Sequence, residues 1–355
     1  DFQLIPAVTV IRTDSKKGAA GGLEQGSPAV KASLDARWVL RPDLEWSATV
    51  DPNFSQVAPD VLQLSANRQF ALFYQENRPF FEQGTQVFNT PSVRYSTDTF
   101  NPSGTLVDTL AIADPRFATK LVGQVGPNEI GALATEDTAT SIVLPGPQSS
   151  TTRSFDFSTR DELLRYRYDV GASAFGVYAS DRDGGGYDSG LYAADGDWQI
   201  DPSDTLTALV GSSTTDYPEA VASGFGIPPG IVKGELWTLD YARTRRNYNF
   251  ELNLSHIGDG FRADLGYLPQ VGYDQGALLG EYDFYAADDD RWWQNFGFGT
   301  ISNWTRATDG GTELDRKVKL YAVLHANDQA QVLFYATRDE QHSKRKPLTP
   351  HQYEV

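Results

Sequence analysis

Three observations predict an all-β fold, a large antiparallel up-and-down β-barrel of the outer-membrane kind. Apolar and polar residues alternate with period two along many segments, the connections between those segments alternate between short and long, and no run of 18 apolar residues occurs. Strict alternation marks a strand with one apolar face, whereas an amphipathic helix would repeat every three to four residues. A mean hydropathy of −0.42 is compatible with such a barrel, because lipid-facing and lumen-facing residues average out.

The first clear hairpin puts Val30, Ala32, Leu34, Ala36, Trp38 and Leu40 on one face and Lys31, Ser33, Asp35 and Arg37 on the other. After Arg41-Pro42, Leu44, Trp46, Ala48 and Val50 alternate with Asp43, Glu45, Ser47 and Thr49. The same unit recurs at Tyr248, Phe250, Leu252 and Leu254, at Leu164, Tyr166 and Tyr168, and at Val318, Leu320, Ala322 and Leu324. About 15 strands are expected, near 3–12, 29–40, 43–50, 116–125, 128–136, 161–169, 173–180, 187–200, 205–213, 235–243, 247–257, 275–286, 291–304, 313–325 and 329–339.

Short turns such as Arg41-Pro42 and Gly126-Pro127 alternate with longer stretches at 13–28, 137–160, 214–234 and 258–274. Short periplasmic turns opposite longer extracellular loops are the outer-membrane pattern. A soluble sandwich or propeller also alternates, but its strands usually run 5–6 residues, and strands of roughly 9–11 match a tilted membrane crossing better. Trp38, Trp46, Trp198, Trp237, Trp292, Trp293 and Trp304 often fall near strand ends, as an aromatic girdle would. An odd strand number and a tail, His351-Gln352-Tyr353-Glu354-Val355, without a terminal aromatic lead us to expect further strands beyond Val355 or regions outside this chain.

Composition excludes several activities. With 30 basic and 47 acidic residues, a net charge of −17 disfavours binding to a phosphate backbone, so no nucleic-acid partner is expected. The absence of cysteine removes disulfides, thiolate metal sites and a Cys nucleophile. His256, His325, His342 and His351 lack metal-ligand spacing, and no Gly-x-Ser-x-Gly elbow occurs. No catalytic residue, metal or cofactor is therefore assigned. The run Asp181-Arg182-Asp183-Gly184-Gly185-Gly186-Tyr187-Asp188 reads as a loop tip.

Residues 51–115 interrupt the hairpins and are too aromatic and apolar for a linker, so they are expected to fold into or across the lumen as a plug. This stretch contains Asp51-Pro52-Asn53-Phe54-Ser55-Gln56-Val57 and Phe73-Tyr74-Gln75-Glu76-Asn77-Arg78-Pro79-Phe80-Phe81-Glu82-Gln83-Gly84. Gly258-Asp259-Gly260-Phe261-Arg262-Ala263-Asp264-Leu265-Gly266-Tyr267-Leu268-Pro269-Gln270-Val271-Gly272-Tyr273 follows later. In that order, these phrases resemble a bacterial family, the barrel-like domain of unknown function number 5916, which typically follows a family-9-like carbohydrate-binding module. The chain departs from the family phrases where Asp51 and Asn53 exchange Asn and Asp, and at Ala58, Gln83 and Gln270, which stand for Glu, Glu and Arg.

The resemblance implies an outer-membrane barrel but no established activity. The expected role is a pore or surface module for glycans or other small polar solutes in the bacterial outer membrane. Lipid is the partner, with glycans and other envelope proteins as further candidates. The alternatives are a surface-attached carbohydrate-active hydrolase, which would need two carboxylates facing one cleft, and a structural anchor for an upstream carbohydrate-binding module. The candidate substrate-binding or gating residues are Asn53, Phe54, Gln56, Glu76, Arg78, Phe80, Phe81 and Glu82. For Glu76, Arg78 and Glu82 the plainer reading is an internal salt bridge that pins the segment to the wall, since enclosed charges are rarely left unpaired.

Overall fold

A computed structural model describes residues 1–12, 15–16, 23–24, 27–52, 70–71, 73–93, 104–225, 227–288, 291–327 and 329–341. The strands, in chain order, are β1 (Phe2–Ile11), β2 (Ser15–Lys16), β3 (Leu23–Glu24), β4 (Ala29–Arg41), β5 (Leu44–Val50), β6 (Pro115–Val125), β7 (Asn128–Asp137), β8 (Thr140–Pro145), β9 (Ser150–Phe155) and β10 (Thr159–Val170). They continue as β11 (Ser173–Gly184), β12 (Tyr187–Asp201), β13 (Asp204–Asp216), β14 (Val232–Thr244), β15 (Tyr248–Ile257), β16 (Tyr273–Tyr285), β17 (Trp293–Ala307), β18 (Glu313–Ala326) and β19 (Gln331–Gln341). Two short helices, α1 (Pro79–Glu82) and α2 (Glu219–Phe225), lie between strands.

Fifteen strands form one antiparallel meander in the order β1-β4-β5-β6-β7-β10-β11-β12-β13-β14-β15-β16-β17-β18-β19. These are the strands that the alternation predicts. Two hairpins, β2–β3 and β8–β9, are additions carried by long connections. Among the described residues β1 and β19 are the two edges of the sheet and do not pair with each other.

The two faces differ as period two requires. On the outer face Phe2, Trp38, Trp46 and Leu121 follow one another across the register, and Ala132 and Leu164 continue the row. Val30, Trp38, Val177, Trp237 and Phe298 are among many apolar side chains exposed there. Toward the long-loop end the outward positions change to Arg160 and Glu162, Asp181 and Asp183, Asp188, Asp216, Lys233 and Glu235, Arg306 and Arg316, all exposed. An apolar outer face thus gives way to charge toward the long loops.

The inner face surrounds a large core, and a smaller cluster of Ile142, Leu144, Tyr187, Tyr217, Val221 and Ala222 lies apart from it. Ala118 and Val122 of β6, Leu133 of β7, Leu163 of β10, Leu209 of β13, Ile257 of β15 and Ala307 of β17 all pack into one cluster. Its centre comes from two irregular segments, through Phe81, Phe88 and Leu106 on one side and Phe261, Leu265 and Leu268 on the other. The sheet is therefore curled around both segments. The 258–272 stretch, whose length suggests an external loop, instead turns inward: residues 261–272 are buried without exception. Its apolar side chains would otherwise face water, and the lumen offers about 1.5–3 kcal/mol for each one fully buried.

Wall and filling are matched at two glycines. A side chain at Gly131 of β7 would place its first carbon 2.9 Å from both Phe88 and Val87, so the bare backbone makes room for the inner segment. At Gly266 the same atom would lie 2.6 Å from the Leu106 carbonyl carbon, which lets the two inner segments run backbone against backbone. They do so through a bridge between Thr105 and Tyr267 and through Asp108 N–H, which donates to Leu265 O at 2.7 Å.

Candidate functional site

The inner segment is first folded onto itself. Arg78 donates from Nε to Glu76 Oε1 at 2.9 Å and from Nη2 to Glu76 Oε2 at 2.7 Å. Its remaining donors reach the Ile112 and Thr109 carbonyls, each at 2.6 Å, while the Thr109 hydroxyl donates to Glu76 at 2.7 Å. The guanidinium also lies 4.3 Å over the Phe81 ring. Burial pushes the Glu76 carboxyl up, but Arg78 and the Thr109 hydroxyl outweigh it and hold Glu76 below its ordinary value. Asp108, the cap of the short 3-10 turn at Thr109–Ala111, accepts from Leu110 N–H at 3.1 Å. Burial raises its carboxyl to about 6.

Other side chains tie that segment to the wall. Lys120 of β6, 4% exposed, points inward and donates to the carbonyls of Phe80 and Gln83. Asp137 of β7 accepts from the backbone N–H groups of Ala113 and Asp114, each at 2.7 Å. At the centre stands Arg182 of β11, fully buried. It pairs with Asp161 of β10 at 2.6 Å and donates to Ala111 O at 2.9 Å, Ser141 O at 3.1 Å and Asp264 O at 3.3 Å. One guanidinium thus joins the wall, the β8–β9 hairpin and both inner segments. Asp264 in turn accepts from the hydroxyls of Tyr187 (2.5 Å) and Tyr217 (2.9 Å). Burial pushes its carboxyl up, and those hydroxyls together with Arg262 and Arg182 offset part of the rise.

Below this dry lock, in the half nearer the short turns, lies a chamber of about 630 Å³. Asn89, Thr90 and Ser92 of the inner segment face Asp240, Glu251 and Asn253 of the wall across it. Arg167 also lines it and is held by Asp169 at 3.5 Å and Asp197 at 3.2 Å. Its volume falls in the usual range of small-molecule sites, about 300–1,000 Å³.

The sequence-predicted residues are only partly brought together. Glu76, Arg78, Phe80 and Phe81 form one cluster, with Phe80 and Phe81 edge to face at 5.2 Å. Glu82 is exposed and donates its backbone N–H to Arg78 O at 2.9 Å, but its carboxylate is not the partner in the Arg78 ion pair. Asn53, Phe54 and Gln56 lie outside the described residues. The expected salt bridge of Arg78 forms with Glu76, two residues away on the same segment, and so does not pin the segment to the wall. The wall is joined instead through Lys120, Asp137 and Arg182. Arg182 belongs to a run that reads as a loop tip, yet the true turn is confined to Gly185 and Gly186. Continuing the alternation of Tyr178 and Ser180 by one more step would have placed Arg182 on the inner face. Of the departures from the family phrases, Gln83 uses its backbone carbonyl for Lys120, and Gln270 donates from Nε2 to Pro147 O at 2.9 Å.

Comparison with known proteins agrees with the resemblance. Residues 3–99 match the family described as Domain of unknown function (DUF5916). No match to a curated protein is found. Among solved structures the chain is similar to a loop L8 deletion mutant of OmpT, an outer membrane protein of Vibrio cholerae. The identity is 12%, over 86% of this chain and 98% of that one, with a TM-score of 0.33. It is also similar to Acinetobacter baumannii OccAB4, at 10% identity over 95% of this chain and 92% of that one, with a TM-score of 0.34. In vitro folded OmpT of Vibrio cholerae gives 11% identity over 86% and 96%, with a TM-score of 0.31.

Proposed function

We propose that the chain is a bacterial outer-membrane β-barrel that handles small polar solutes, glycans among them, through a lumen gated by its inner segments. The observation that carries this reading is the contrast of the two faces: an apolar outer face edged by charge toward the long loops, and a polar, carboxylate-bearing chamber beneath a packed core inside. Exposed Trp and Phe side chains in such number suit lipid, which is the partner assigned to that outer face.

A second reading, a structural anchor, is favoured by the packed core, because the cluster from Phe81 to Leu314 fills much of the space inside the sheet. Reconstitution in planar bilayers separates the two. Deleting residues 62–84 should raise single-channel conductance if the plug is a gate. Unchanged conductance in a folded, heat-modifiable barrel would favour the anchor, and a chain that stays monomeric in water without detergent would overturn membrane residence altogether.

A further inference from the structure

The rows of inward side chains that bound the chamber mix two chemistries on one surface. In register, Ala242 lies opposite Glu251, Glu251 opposite Leu279, and Leu279 opposite Ile301, and all four line the chamber. One step toward the long loops, Thr207 lies opposite Asp240, Asp240 opposite Asn253, and Asn253 opposite Ala277, and these four line it too. Carboxylates thus stand beside aliphatic side chains.

The charge is one-sided. Among the described residues that line the chamber, Asp197, Asp240 and Glu251 face one cation, Arg167, which is already engaged by Asp197 at 3.2 Å and Asp169 at 3.5 Å. Across the neighbouring strands β13 to β17 the inward positions carry no Lys, Arg or His. Nearer the short turns Glu281 and Asp283 extend the same face. A side-chain carbon on Gly297 would lie 2.7 Å from Asp283 Oδ1 and 3.4 Å from Glu281 Oε1, so the bare backbone there lets both carboxylates converge. Neutral groups hold them: the Tyr321 hydroxyl donates to Glu281, and Asn295 Nδ2 donates to Asp283 at 3.2 Å. Such donors orient a carboxylate and leave its charge in place.

We propose that the chamber binds an organic cation, an alkylammonium solute that enters past Glu281 and Asp283 and sets its nitrogen against Glu251 and its hydrocarbon stem against Leu279 and Ile301. The proposal rests on the reading of the chain as a solute-handling barrel and names the class of solute. An ammonium donates three hydrogen bonds and accepts none, which suits carboxylates and the hydroxyl oxygens of Thr205 and Thr207. A metal ion gains nothing from Ala242, Leu279 and Ile301, and among the described residues no three His, Asp or Glu side chains converge as a metal site requires. A neutral sugar leaves the excess negative charge unanswered, and an anion is repelled by it.

The test uses the full chain in a neutral detergent, titrated calorimetrically with cadaverine, magnesium chloride and sucrose in about 150 mM salt, where attraction between exposed charges is screened beyond roughly 8 Å. Saturable cadaverine binding is expected, weakened about tenfold or more by Glu251→Gln, which removes a charge-assisted hydrogen bond. Glu162→Gln removes an exposed charge from the outer face and should leave the affinity unchanged. Asp240→Asn should weaken binding as well, and serves if Glu251→Gln fails to fold. Absence of saturable cadaverine binding, equally strong binding of magnesium or sucrose, or equal losses from the inner and outer variants would each overturn the site. Bilayer recordings on the same preparation keep the two readings apart: a chain that conducts but does not bind cadaverine loses only this site, whereas one that neither conducts nor binds loses the solute-handling reading with it.

Discussion

The two halves of the lumen use the same residue types to opposite ends. In the long-loop half, Arg182 is fully buried and spends its donors on Asp161 and on three backbone carbonyls from separate segments. In the short-turn half, Arg167 is 31% exposed and faces Asp169 and Asp197 beside the chamber. A guanidinium in a dry interior must have its charge and all its donors matched, which turns it into a structural clasp. One beside an aqueous space is screened and remains adjustable. The difference teaches that charge inside this barrel locks where apolar residues exclude water, and is available to a solute where they do not.

Breaking the clasp should have the largest effect. Arg182→Ala leaves Asp161 buried and unpaired and should cost about 3–5 kcal/mol of stability. Urea unfolding of the folded, micelle-bound chain would measure it. A loss no larger than that of a surface variant would erase the distinction between the halves.

A smaller effect, with a definite sign, is expected at Asp108. Its folded carboxyl sits at about 6, above its ordinary 3.8, so the ionised form is disfavoured by folding. With respect to this group the plug is most stable below pH 3.8 and loses stability as pH rises from there through about 6. Asp108→Asn keeps the capping oxygen and should stabilise by about 1–2 kcal/mol at pH 7, after discounting for partial exposure, and by nothing near pH 3. Glu76 opposes this trend: held below 4.5, its contribution is present above that pH and is lost as pH falls through its lowered folded value. Unfolding of the variant and the parent chain across pH 3–8 would reveal a gap that opens upward; a gap that opens toward acid would contradict the assignment.

The smallest change belongs to Arg167→Gln, which should shift stability by less than about 1 kcal/mol because the pairs are partly solvated. A cost near that of Arg182→Ala would mean that the short-turn half is as dry as the other.

How much of this was legible beforehand follows from the range of each interaction. Alternation at Val30 to Leu40 or at Tyr248 to Leu254 reports a local, two-residue period, and these segments are strands with the predicted faces outward. The Glu76–Arg78 pair is legible for the same reason, since two residues separate its partners. The contacts that build the plug are not local: Tyr267 donates to Ala71 O at 2.7 Å across 196 residues, and Arg182 reaches Asp264 O across 82. Nothing in the composition of Gly258 to Tyr273 says that it turns inward, because an apolar loop can be buried against any nearby surface. Arg182 reads as part of a loop tip because Gly184, Gly185 and Gly186 follow it so closely.

By itself, then, the sequence determined the strand series, the antiparallel order that short turns enforce, and which side chains share a face, because backbone geometry ties side-chain direction to position parity. Tertiary structure alone decided that two distant segments meet inside the curled sheet, that Arg182 joins both to the wall, and that a polar chamber remains beside them. Those outcomes depend on which surfaces meet when the sheet curls, and burial is a property of that meeting rather than of any residue in it.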